Sequence, residues 1–146
     1  MAQGVGDLGL SVGYTLKQAA AALRTAMDTA LRPLGLTVPQ YACLELLGQR
    51  PGLSTAELAR GAFVTRQSMH AVLLGLEERG LLARAQAIQG RALPTALTDS
   101  GQRVLMQASR IVADIERHMV SALSPAAQQR LRTDLATCAA TLNDSA

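Results

Sequence analysis

A chain of 146 residues, 49% hydrophobic and 17% charged, has room for one compact domain or one domain with helical arms, and is too apolar for a disordered protein. Aromatic residues reach only 2%, which favours helices packed through aliphatic side chains and leaves little stacking platform for single-stranded nucleic acid. Net charge is a modest +3, no apolar run approaches a membrane span, and no basic, apolar, cleavable signal opens the chain, so a cytoplasmic protein is expected.

Residues 1–13 are glycine-rich and weakly patterned, and read as a flexible leader. A helix is expected from about Tyr14 to Arg32. There Leu16, Ala20, Leu23, Met27, Ala30 and Leu34 recur at steps of three and four until Pro33 and Gly35 end it. Thr37 can cap a second helix, with Val38 and Pro39 in its first turn and Tyr41, Leu44 and Leu47 on its apolar face. Gln49-Arg50-Pro51-Gly52 reads as a turn. Ser54-Thr55-Ala56-Glu57 is a capping box that opens a short helix over about Thr55–Arg60, with Leu58 and Ala59 inward. Gly61-Ala62-Phe63-Val64 then reads as a tight connection to another helix, and two short helices so joined make a helix-turn-helix.

The second of these helices lies in Thr65–Arg84. Its first turn offers Thr65, Arg66, Gln67, Ser68 and His70, all hydrogen-bonding side chains. Met69, Val72, Leu73 and Leu76 form an apolar underside, and Gly80 closes the helix. A polar, basic tip on such a helix is what major-groove reading requires. Leu74 shares the polar face, so reading should be confined to the first two turns. Leu81–Ala87 and Ala92–Leu97 are expected to form a two-stranded hairpin with its tip at Ile88-Gln89-Gly90-Arg91, Pro94 confining the second strand to an edge. Thr98 caps a long helix from about Asp99 to Ala122, striped by Val104, Ala108, Ile111, Ile115, Met119 and Ala122. Ser124-Pro125 starts the last, with Ala127, Leu131, Leu135, Cys138 and Leu142 on one side. The stripes on the outer helices are wider than one small partner needs, and imply a second subunit.

Charge placement agrees. Between Arg50 and Leu97 lie six arginines against three acids, so the whole positive excess falls in this central segment. Arginine also supplies 13 of the 14 basic residues, and its planar fork suits phosphates and guanine edges. Cys43 and Cys138 make no disulfide framework, and with His70 and His118 they match no zinc spacing, so neither metal nor cofactor is expected. Both cysteines lie on or beside apolar faces and read as structural; His118 reads as a surface or interface residue. No phosphate loop, nucleophile elbow or carboxylate cluster suggests an enzyme.

Taken together, Leu31-Arg32-Pro33-Leu34-Gly35-Leu36-Thr37, Pro39-Gln40-Tyr41, Leu76-Glu77-Glu78-Arg79-Gly80-Leu81-Leu82-Ala83-Arg84, Gly90-Arg91-Ala92 and Leu97-Thr98-Asp99-Ser100-Gly101 resemble the MarR-type winged helix-turn-helix regulators, over about Val12 to Leu142. The resemblance implies a mainly α fold with a small two-stranded β-wing. Its winged helix-turn-helix, over 36–97, would be flanked by dimerisation helices over 14–35 and 98–146. It further implies a homodimer on pseudo-palindromic double-stranded DNA, often a repressor released by oxidation or by a small molecule, here expected to be aromatic or phenolic. Gln89 departs from the pattern, since many members carry an acid there that helps to hold the wing arginine.

The DNA-contact candidates are Thr55, Thr65, Arg66, Gln67, Ser68, His70, Arg84 and Arg91. Against each stands a plainer role: a solvated helix start for the tip, a cap for Thr65 and an exposed turn residue for Arg91. Arg84 is open equally to a phosphate or a neighbouring acid. Tyr14, Met27, Tyr41 and Met119 lie on the helices around the family's effector pocket, although core packing is the stronger reading for each. A winged helix that binds protein instead of DNA is the alternative function, and Arg66 with Gln67 argues against it.

Overall fold

The computed structural model describes residues 6–84, 87–88, 91–92 and 95–144, with backbone alone at 87, 88, 91 and 92. Two compact units divide the chain between Ala113 and Asp114.

In the first unit, a 3₁₀ turn at Leu8–Leu10 precedes α1 (Val12–Leu31). The helix begins two residues before Tyr14 because Ser11 caps it, its hydroxyl accepting the Tyr14 N–H at 3.1 Å. Leu31, outside the predicted stripe, is the one fully buried residue of α1, and Met27 packs against the core beside it. Thr37 caps α2 (Val38–Gln49) as expected and forms a reciprocal box with Gln40, whose side chain accepts the Thr37 N–H at 2.9 Å. Cys43, Leu44 and Leu47 carry α2 into the core. Tyr41 turns its ring toward the same core and donates its hydroxyl to Glu45.

The Ser54–Glu57 box opens α3 (Thr55–Ala62), which runs two residues past Arg60 and stops at Phe63. α4 (Arg66–Glu78) buries Met69, Leu73 and Leu76 against Leu58 and Ala59 of α3 and the α2 core residues, as its apolar spacing predicts. Gly80 ends it with φ 71°, so that the Gly80 N–H reaches the Glu77 carbonyl and the Leu81 N–H the Leu76 carbonyl. This is a Schellman closure, which a left-handed glycine permits.

The wing is antiparallel, as expected. β1 (Leu82–Ala83) pairs antiparallel with β4 (Ala96–Leu97), Leu82 opposite Leu97, and a separate ladder joins β2 (Ala87–Ile88) to β3 (Arg91–Ala92), Ile88 opposite Arg91. β1 and β4 are each two residues long, in keeping with an alanine-rich sequence that gives a pleated surface little to pack. Gln89, Gly90 and Pro94 lie outside the described residues.

α5 (Asp99–Met119) stops three residues short of Ala122. Thr98 caps it, accepting the Gly101 N–H at 3.1 Å while donating to the Gly80 carbonyl at 2.6 Å. Its buried face is Gly101, Ala108 and Val112, with Val104 and Leu105 partly covered, a narrower and shifted version of the predicted stripe. Ser109 donates to Glu45 at 2.8 Å and ties α5 to α2. Burial raises the Glu45 carboxyl, but the bonds from Ser109, Gln49 and Tyr41 outweigh it and hold the group below the ordinary glutamate range.

In the second unit the end of α5 leads to α6 (Pro125–Asp144), which Ser124 caps by accepting the Ala127 N–H. Gln128 donates to the Val120 and Leu123 carbonyls and closes the connection. No residue of α6 is buried; Leu131 and Leu135 are each 40% exposed. No helix among the described residues is long and apolar enough to cross a membrane.

Candidate nucleic-acid interface

Burial of Met69, Leu73 and Leu76 fixes the roll of α4, and therefore which side chains its opposite face offers. Arg66, Gln67, Ser68 and His70 are all exposed, and Leu74, at 42% exposed, interrupts that face where the sequence placed the limit. The amides of Arg66 and Gln67 precede the first helical bond, from the Met69 N–H to the Thr65 carbonyl, and so stay available for an anion at the positive end of the helix.

Thr65 is the cap of α4. Its hydroxyl accepts the Ser68 N–H at 3.0 Å and donates to the Ser68 hydroxyl at 2.9 Å, so the two side chains hold each other at the tip. Thr55, the first residue of α3, is half-buried beside its own capping box. Arg84 is half-buried and forms no ion pair with any acid among the described residues. Of Arg91 only the backbone is described, in β3 opposite Ile88.

Two of the six central arginines serve the fold. Arg50 lies 3.5 Å from Glu57, an exposed pair of small energetic weight. The Glu57 carboxyl is held below the ordinary range first by the Ser54 N–H and then by the Ser54 hydroxyl, Arg50 and Arg60 adding to these. Arg79 does more: its Nη1 donates to the Gly35 carbonyl at 2.7 Å and its Nη2 to the Leu34 carbonyl at 3.1 Å. This fork fastens the end of α4 to the link between α1 and α2 across 44 residues of chain. Sequence reasoning gave Arg79 no such role, because its partners are backbone atoms that no side-chain pattern marks.

Cys43 is fully buried, and burial pushes its thiol up to about 12, whereas Cys138 is exposed. Cys43 should therefore resist iodoacetamide in the native protein at mildly alkaline pH and react only after unfolding. Peptide mass spectrometry that finds it alkylated under native conditions would refute this. Cys138, read from sequence as structural, is not covered within the single chain. Met27 and Tyr41 fit the core-packing reading, while Tyr14 and Met119 are 42% and 50% exposed.

The model of the MarR family matches residues 34–92, which run from the α1–α2 link through β3. The HTH-type transcriptional repressor Rv2887 of Mycobacterium tuberculosis is 44% identical over 120 residues, covering 82% of this chain and 86% of that protein. The chain belongs to the MarR family. MarR-family structures agree with its fold. The crystal structure of Rv2887 in complex with DNA has a TM-score of 0.73 at 38% identity, covering 88% of this chain and 97% of that one. The same protein in complex with p-aminosalicylic acid gives 0.76 at 40% identity, covering 88% and 98%. The MarR-type architecture is also shared with the transcriptional repressor CouR bound to a 23-mer DNA duplex, with a TM-score of 0.81, 30% identity and coverage of 95% and 99%.

Proposed function

We propose that this MarR-family regulator is a homodimeric repressor that binds a pseudo-palindromic DNA duplex and is released by an aromatic small molecule. The observation that carries this reading is the α4 tip: Arg66, Gln67 and His70 stand exposed and without side-chain bonds among the described residues, over an underside whose Met69, Leu73 and Leu76 are buried in the core. Arg66, Gln67 and His70 would read base edges in the major groove. Thr65, Ser68, Thr55 and Arg84 would bind phosphates, and Arg91 would reach the adjacent minor groove. Residues 36–97 would form the DNA-binding part, and 14–35 with 98–146 the dimerisation part. The exposed apolar residues Val12 and Leu16 of α1 and Leu131, Leu135 and Leu142 of α6 support a second subunit. Rv2887 and CouR, both solved with DNA and the former with p-aminosalicylic acid, support the ligand classes. Such a protein acts without catalysis or a cofactor and works in the cytoplasm, where its DNA is. Protein recognition, the alternative, has no feature of the tip in its favour.

The test is selection of bound fragments from genomic DNA by the purified protein, followed by footprinting with and without p-aminosalicylic acid. Two protected half-sites about 34 Å apart are expected. Recovery of no specific duplex at low salt would overturn the reading. Arg91→Ala should reduce the slope of log affinity against log salt by about 1 if the wing arginine neutralises a phosphate. An unchanged slope removes Arg91 from the phosphate contacts.

A further inference from the structure

Phe63 is the only phenylalanine of the chain, and it stands in the turn of the helix-turn-helix, two residues ahead of the Thr65 cap. Two observations set it apart. Its backbone is left-handed, with φ 60° and ψ 40°, and it is the one non-glycine residue with positive φ among the described residues. The residue is 94% exposed, the most exposed large hydrophobic residue described. The left-handed region is strained for a bulky side chain and open to glycine, which helix-turn-helix turns commonly use. An exposed phenyl ring gains almost nothing from the folded chain in return. For folding alone, glycine would be the better residue at this position. Strain of this kind persists where the side chain is needed for something outside the fold.

Its place says what that could be. The ring precedes the exposed tip formed by Arg66, Gln67, Ser68 and His70, every one a hydrogen-bonding residue. Such side chains recognise the donors and acceptors of base edges, but thymine also presents an apolar C5-methyl in the major groove, which apolar side chains including phenylalanine contact. Leu74, the large exposed apolar residue of α4, lies about one helical turn beyond His70 at the end of the tip. We propose that Phe63 is a specificity determinant that packs its ring on a thymine methyl of the bound duplex. The inference rests on the DNA-binding reading above.

Substituting uracil for thymine removes the methyl and leaves base pairing intact, which gives a direct test. A duplex recovered by the wild-type protein from a random-sequence pool is prepared with thymine, and again with deoxyuridine at every thymine. Affinities of wild type, Phe63→Gly and Phe63→Asn are measured for both at one salt concentration. The wild-type preference for thymine should exceed that of either variant by at least about fourfold, the worth of one buried methyl. Both variants, relieved of strain, should melt about 3 °C higher than wild type. Equal thymine preference in wild type and variants overturns the proposal. Variants that melt lower overturn it too, by giving Phe63 a packing role. If the wild type recovers no duplex at all, it is the DNA-binding reading that fails, and that outcome is distinct from either of these.

Discussion

Gly101→Ala is expected to destabilise the fold by at least about 3 kcal/mol and to lower the melting temperature by about 10 °C or more. A Cβ at this position would stand 1.9 Å from the Leu81 carbonyl oxygen and 2.9 Å from its carbonyl carbon. Backbone cannot rotate away as a flexible side chain can, and this backbone is held: the Thr98 N–H donates to the same oxygen, and the Leu81 N–H to Leu76. Helix propensity acts in the opposite direction, alanine being better than glycine by about 1 kcal/mol in a helix. The clash is the larger effect, so the usual sign of a glycine-to-alanine change in a helix is reversed. Thermal denaturation followed by circular dichroism, with the exposed neighbour Ser100→Ala as control, decides the matter. Equal melting of the two variants would show that α5 can move off the Leu81 backbone at little cost.

Arg66→Ala should weaken binding to the selected duplex by about 1–3 kcal/mol, roughly five- to 150-fold, without lowering the melting temperature. Arg66 is exposed at the first position of α4, so its loss leaves no cavity and no orphaned partner in the free protein. Arg66→Lys separates the two contacts open to it. Lysine keeps the charge but cannot form a bidentate fork, so restored affinity points to a phosphate and continued loss to a base edge. Arg66→Ala binding within twofold of wild type, about 0.4 kcal/mol, would take Arg66 out of the interface.

Sequence periodicity located all six helices and the α4 tip because those features depend on local rules. Thr37, Ser54, Thr65 and Thr98 cap by hydrogen bonds to neighbouring amides, and the Met69, Leu73 and Leu76 spacing expresses one helical period. What escaped depends on contacts distant in the chain. Leu31 and Val112 are buried because of where α1 and α5 meet the core, not because of their rank in an apolar stripe. Arg79 holds carbonyls 44 residues away, and Gly101 is required by a carbonyl twenty positions earlier. Gly101 did stand in the Leu97-Thr98-Asp99-Ser100-Gly101 run that resembles the family pattern, yet the run gave no reason for its glycine. At Phe63 the sequence suggested only a tight connection. That α3 would extend through Gly61 and Ala62 and turn on an aromatic residue runs against local preference.

The surface of α6 has a consequence for how much of this protein is folded at a given moment. A twenty-residue helix with none of its side chains buried gains little beyond its own backbone bonds, and such helices are marginal in water. In a homodimer the partner would supply the missing burial, so the order of the last twenty helical residues follows mass action. Subunit concentration would then set the helicity of α6, and a chain diluted below its dimer dissociation constant would keep its DNA-reading core while its C-terminal arm melts.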